Sequence, residues 1–296
     1  MTTATPERTL SPRQNEAGAR NRKLIRNIVL YATMVVVALI FLMPMFWMLS
    51  TSLKPKSQWF TQEVYWIPKT VTTANYERIL NNPSTPMGRW FVNSLMVASI
   101  VTVLTLVVDS LAAYAYARMQ FRGRNVIFAL LLATLFLPGM MFLVPNFITV
   151  ANFGWLNNYA GVVVPALAGV FGVFFLRQFF ETIPRELEEA AHIDGASPLQ
   201  TFVRVALPLA KPAMATLAVI TFLASWNDFL WPLLILKDRQ LQTLPPGLRT
   251  LQGAYTSEYG QMMAGATIAA VPVLIVYIAL QRYIVKSVAT TGLAGQ

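Results

Sequence analysis

Cysteine is missing from all 296 residues. Its absence excludes disulfides, thiolate metal sites and cysteine nucleophiles, and leaves the redox compartment undecided. Histidine occurs once, at His192. One imidazole builds neither a zinc site nor a nucleophile–base pair, and on its polar stretch it is expected to be solvated or at an interface. No glycine-rich loop ending in Lys-Ser or Lys-Thr occurs, so the chain is not expected to bind ATP itself. Charge is scarce: 12% of residues are Asp, Glu, Lys or Arg, against about 25% in a soluble domain. In their place stand long apolar runs, 55% of the chain being hydrophobic, with a mean hydropathy of +0.52. Together these indicate a polytopic membrane protein. The net charge of +10 does not point to nucleic acid, because the basic residues flank apolar runs instead of forming a stripe on a folded domain.

Residues 1–27 are polar and basic, with Arg8, Arg13, Arg20, Arg22, Lys23 and Arg26, and read as a disordered cytoplasmic tail ending in a basic anchor. Ile28 to Ser50 is the first apolar span. It is too long for a signal-peptide core and lacks a small-residue cleavage site, so a retained membrane helix is expected. Further spans are read at Phe91–Ala117, Asn125–Phe147, Tyr159–Phe179, Ala213–Ile235 and Ala264–Val285. The third is interrupted by Pro138-Gly139 and closed by Pro145. Residues 28–89 comprise the first helix and a polar loop, 90–285 the remaining five spans, and 286–296 a short tail. Six spans place both termini on one side. That side carries fifteen Lys and Arg and the other eight, which favours a cytoplasmic location for the termini.

Glu181 to Pro208 is the long charged interruption of the second half. Pro184 suits a first helical position, and Glu186, Glu188 and Glu189 fall near the positive end of that helix's dipole. Gly195 ends it in a left-handed conformation. Ser197 restarts the chain as an N-cap, with Gln200 completing a capping box. Leu199, Phe202, Val203 and Ala206 follow at helical spacing as one apolar stripe, and Pro208 blocks simple continuation. The residues alone leave two readings open: a membrane-surface helix–turn–helix that contacts a partner, or a solvated loop with incidental caps.

The stretch also resembles a known pattern. Glu189-Ala190-Ala191, Gly195 four residues on, and Val205-Ala206-Leu207-Pro208 resemble the EAA motif of ABC importer permeases, with Val205 where the motif has Ile. The wider segment from Ile183 to Ser197 is similar to the carbohydrate, maltose-type branch. Asn93-Ser94-Leu95, Ala113-Tyr114-Ala115, Phe121-Arg122-Gly123-Arg124, Trp226-Asn227-Asp228-Phe229 and Pro232-Leu233-Leu234 extend the likeness from Trp90 onward. The end, Thr291 to Gln296, resembles a glycine-rich tail but lacks its lysine.

The resemblance implies an all-α polytopic fold of six transmembrane helices, the type I ABC importer permease. It implies a multi-pass protein of the prokaryotic plasma (inner) membrane that takes up sugars by alternating access. The implied partners are a homologous permease subunit, an ATPase subunit dimer and an extracytoplasmic solute-binding protein. No cofactor is expected on this chain, ATP and Mg being held by the ATPase. The implied coupling residues are Glu186, Glu189, Ala190, Ala191, Asp194, Gly195, Ser197, Leu199 and Phe202. A permease for a non-sugar solute, or a self-contained secondary transporter, is the alternative. The latter class usually carries inverted repeats and midplane ion sites, of which no clear sign is present.

Two acids lie well inside spans, and burying charge there costs about 2.5–3.5 kcal/mol, so each is expected to face protein or water. Asp109 is expected to make a structural hydrogen bond to a neighbouring helix. Asp228 stands beside Trp226 and Asn227, with Trp231 close by. Carboxylate, amide and indole are groups that bind and stack on sugars, so these four are candidate lining of the substrate path; the competing reading is an aromatic belt above a wet vestibule. Pro138-Gly139, Pro165, Gly169, Gly172 and Pro272 read equally as hinges or static kinks.

Overall fold

The computed structural model describes residues 12–59, 61, 63–251 and 258–293, and no β-strand occurs among them. The first helix, α1 (Pro12–Ser52), starts well before the apolar run. The polar segment before Ile28 is therefore helical from Pro12 rather than a disordered tail: it is built of Arg, Lys, Gln and Ala, all good helix formers. Residues 1–11 and 294–296, including the end of the glycine-rich tail, lie outside the described residues.

The segment after α1 is tied down by hydrogen bonds to the helix's own end. Asn75 Nδ2 donates to the carbonyls of Ser52 (2.8 Å) and Lys54 (2.9 Å), and Trp59 Nε1 donates to Lys54 O at 3.0 Å. Orphan carbonyls of a helix end need such partners. The Lys54 ammonium is buried, donates to Tyr65 O at 2.6 Å and lies 3.9 Å over the Trp47 ring. Burial pushes its pKa below the usual lysine range. Asn75 belongs to α2 (Ala74–Asn81).

Next come α3 (Met87–Arg118), α4 (Arg124–Ala133), α5 (Leu143–Asn152), α6 (Ala160–Ala166) and α7 (Val170–Thr182). Then follow α8 (Arg185–Ile193), α9 (Pro198–Thr201), a π-helical turn (Phe202–Ala206), α10 (Leu207–Leu209) and α11 (Lys211–Trp226). The chain closes with α12 (Leu230–Ile235), α13 (Leu244–Arg249) and α14 (Tyr259–Leu293). Among the described residues, three helices are long and apolar enough to cross a membrane, and up to six spans result if each bent pair counts as one.

The breaks are sharper than the expected kinks. The third span is two ten-residue helices, α4 and α5, joined at 95° around Pro138-Gly139. Pro145 does not close it: it lies in the first turn of α5, where its missing N–H has no partner to lose. The fourth span, α6 plus α7, bends by 42°. The fifth expected span is α11, which stops at Trp226, followed by the separate α12; the third bent pair instead joins Pro198–Leu209 to α11 at 78°. By contrast α3 runs unbroken, and α7 and α11 pack along it. Apolar α1 packs on α14 and is otherwise exposed.

Two packing centres matter for function. One, at the Gly195 end of the bundle, gathers Tyr114, Phe180, Ile183, Phe202 and Ala206. The other, at the opposite end, gathers Trp90, Phe222, Trp226 and Leu244. Asp109 lies between them, 1% exposed, and both carboxylate oxygens lack a hydrogen-bond partner among the described residues. The expected bond to a neighbouring helix is absent because α7 presents Gly172 there, a backbone without a polar side chain.

Candidate functional site

The hairpin of α8 and α9 is set by local chemistry. Pro184 is the N-cap and Arg185 the first helical residue, with Glu186 and Glu188 in the first turn. The helix ends in a Schellman motif: Ala196 N donates to Ala191 O at 2.9 Å and Gly195 N to His192 O at 3.0 Å, with Gly195 at φ +84°. His192 Nδ1 lies 3.0 Å from the Ala196 carbonyl, so that nitrogen carries the proton and the ring braces the same turn. Ser197 and Gln200 form the capping box, each side chain accepting from the other's backbone N–H (3.4 and 2.8 Å).

Of the residues expected to couple to an ATPase, Glu186, Glu189, Ala190, Asp194, Gly195, Ser197 and Leu199 are exposed, and Ala191 is half-buried. Phe202 is not available to a partner: it is buried, with its ring 5.0 Å from that of Tyr114. The expected apolar stripe splits, Phe202 and Ala206 facing in while Leu199 and Val203 are exposed. The π-helical turn Phe202–Ala206 shifts the phase of the side chains relative to an α-helix, and after it the chain continues directly into α10, which contains Pro208, before a 78° bend leads to α11.

Sequence reasoning missed two features. Leu187 and Ile193 are exposed apolar residues on the same hairpin, Ile193 to 86%; their signal was an apolar side chain on an otherwise polar helix. Glu188 is buried and paired. Arg118, the last residue of α3, donates from Nε to Glu188 Oε1 at 2.8 Å and from Nη2 to Ile183 O at 2.5 Å, while Tyr114 Oη donates to Glu188 Oε2 at 3.2 Å. Both ionic side chains are 9% exposed. A pairing seventy residues apart leaves no local trace.

At the other end, the four candidate path residues separate. Trp226 is a core residue: it is buried, stacks on Phe222 and donates from Nε1 to Ala269 O at 3.2 Å. Its aromatic surface is therefore spent on packing, not on a path wall. Trp231 is half-buried and donates to Gly161 O at 3.0 Å. Asn227 is exposed but donates to Leu223 O within its own helix. Asp228 faces a cleft of about 190 Å³ with Val101, Val162, Thr221 and Ser225. Its Oδ1 accepts from Trp231 N at 3.4 Å, at the start of α12. No cluster of metal-ligating side chains occurs among the described residues.

Residues 110–290, which include the hairpin and Asp228, match the family described as "Binding-protein-dependent transport system inner membrane component". The chain belongs to this family. It is 33% identical over 92% of its length to an arabinooligosaccharides transport system permease protein of Bacillus subtilis, 97% of which is covered. It is 31% identical over 93% of its length to a trehalose/maltose transport system permease protein of Thermococcus litoralis, 99% of which is covered. Among solved structures, a chain of a bacterial ABC transporter involved in the import of the acidic polysaccharide alginate superposes with a TM-score of 0.78 at 26% identity. The match covers 94% of this chain and 99% of that one. The permease is thus a multi-pass inner-membrane component of a transport system, with an ABC importer permease fold, and the enzymatic work of such a system resides on another subunit.

Proposed function

We propose that this permease imports saccharides, paired with a homologous permease, two ATPase subunits and an extracytoplasmic solute-binding protein. ATP and Mg are held by the ATPases. The α8–α9 hairpin docks on an ATPase, and closure of the ATPase pair drives the bundle between outward- and inward-open forms. The observation that carries this reading is the hairpin's surface. Leu187, Ile193, Leu199 and Val203 are all exposed on one short, charged excursion, and such apolar exposure marks an interaction site. Around them stand Glu186, Glu189 and Asp194 for basic or N–H donors, and Ala190 for close approach.

In this reading the hairpin and both termini lie in the cytoplasm, the compartment of ATP, which the excess of basic residues on that side supports. The Asp228 cleft belongs to the solute path in this reading, with Thr221 and Ser225 as further hydroxyl partners. Two experiments test the proposal. The affinity-tagged permease should retain its ATPase through purification, and Ile193→Asp should lose it while the second permease stays bound. Retention of the ATPase by that variant would remove the docking role. Asp228→Ala should lower saccharide uptake with assembly and ATPase coupling intact; unchanged uptake would reduce Asp228 to a cap of α12.

A further inference from the structure

We propose that Arg118 and Glu188 are positioning residues for coupling: they lock the docking hairpin to α3, and α3 carries the hairpin's movement to the outer mouth. Both arms of the hairpin meet the last turns of α3. The first arm is held through Glu188, which accepts from Arg118 and Tyr114. The second is held through Phe202, whose ring packs on that of Tyr114, and Tyr114 is braced in turn by Phe180 of α7 at 5.7 Å. Packing alone does not fix α8, because a cleft of about 230 Å³ opens between it and α3, lined by Met119, Arg185, His192 and Pro198. The charged, hydrogen-bonded clamp bridges that cleft, and Arg118 adds a second tie to the Ile183 carbonyl at the base of the arm.

The opposite end of α3 is tied just as firmly. Trp90 Nε1 donates to Arg239 O at 2.7 Å, and Asn93 Nδ2 donates to the carbonyls of Gln240 and Gln242 at 2.9 Å. Ser94 Oγ accepts from Leu244 N at 2.7 Å. These residues hold the loop between α12 and α13. Between the two anchorages α3 is one unbroken helix of 32 residues, roughly 48 Å long at 1.5 Å per residue. The third, fourth and fifth spans each contain a break in the helix; α3 contains none. In this proposal a displacement of the hairpin passes along α3 to the Arg239–Leu244 loop.

The proposal rests on the docking reading above, and its test separates the two. In the assembled complex, Gln240→Cys in this cysteine-free chain is labelled with a maleimide, with and without a non-hydrolysable ATP analogue. Nucleotide should change the labelling rate. Adding Glu188→Gln should shrink that change about tenfold, the scale of one lost charge-assisted bond, with the ATPase still bound and hydrolysing ATP at its basal rate. Arg118→Lys, which keeps the charge but not the two-partner geometry, should fall between. Asn93→Ala, at the far anchorage, should abolish the change without touching the cytoplasmic surface, and it serves if Glu188→Gln assembles poorly. A full nucleotide response in Glu188→Gln or in Asn93→Ala, or none in the parent complex, overturns the proposal. Loss of the ATPase from the parent complex would instead strike the docking reading.

Discussion

Gly172→Ala should destabilise the permease through one side chain, that of Asp109. A Cβ on Gly172 would lie 1.9 Å from Asp109 Oδ2, 2.9 Å from its Cγ and 3.0 Å from Leu217 Cδ2. An ordinary carbon–oxygen contact is about 3.3 Å or more, so the carboxylate must move by more than an ångström. It is 1% exposed, so it can move only by displacing packed neighbours such as Leu217. Overpacking of this kind costs about 1–3 kcal/mol, and the severity of the overlap places this case near the upper end. In a chain of this size that lowers the unfolding midpoint by about 3–5 °C.

Asp109→Ala in the same chain removes the obstructing atoms, so the double variant should recover at least about 1 kcal/mol relative to additivity, as contacting residues do. Asp109→Asn keeps the volume and should give no such relief; alone it should be close to wild type, since no ion pair is lost. The assay is thermal unfolding of the purified complex in detergent, followed by size-exclusion profile. A Gly172→Ala midpoint equal to wild type, or a double variant no better than the single one, would refute the reasoning.

Gly247→Ala should be at least as harmful, about 2–3 kcal/mol, because its Cβ would lie 2.3 Å from Cδ2 of buried Trp90, a rigid ring already bonded to Arg239 O; the same thermal assay reads it. Cysteines placed by Arg122→Cys and Gln240→Cys should react with an impermeant reagent from opposite sides of the membrane, the arrangement that the excess of basic residues favours. Equal labelling of both from outside would overturn the orientation.

The parts of the hairpin that local chemistry fixes were legible in the sequence. Gly195 takes the left-handed position, and Ser197 with Gln200 makes the capping box; both depend on residues within a few positions of each other. The stripe of Leu199, Phe202, Val203 and Ala206 was not read correctly, because its periodicity presumes an α-helix and the π turn shifts it. Hydropathy located the spans but was blind to the 95° break in the third, since a bent pair of helices is as apolar as a straight one. Trp226 and Asp109 needed the neighbouring helices. Whether an indole lines a cleft or fills a core, and whether an acid finds a donor or a glycine, depends on what α14 and α7 place opposite. The Arg118–Glu188 pair is of the same kind.

The central claim, that this chain moves solute only through an ATPase docked on its α8–α9 hairpin, is tested most directly in proteoliposomes. They would hold the full complex, with ATP on the hairpin side and a saccharide-loaded binding protein on the other. Uptake should require ATP and should be lost with Ile193→Asp, while the chain reconstituted alone should take up nothing under an ion gradient. Uptake by the chain alone, or ATP-driven uptake that survives Ile193→Asp at the parent rate, would contradict the account.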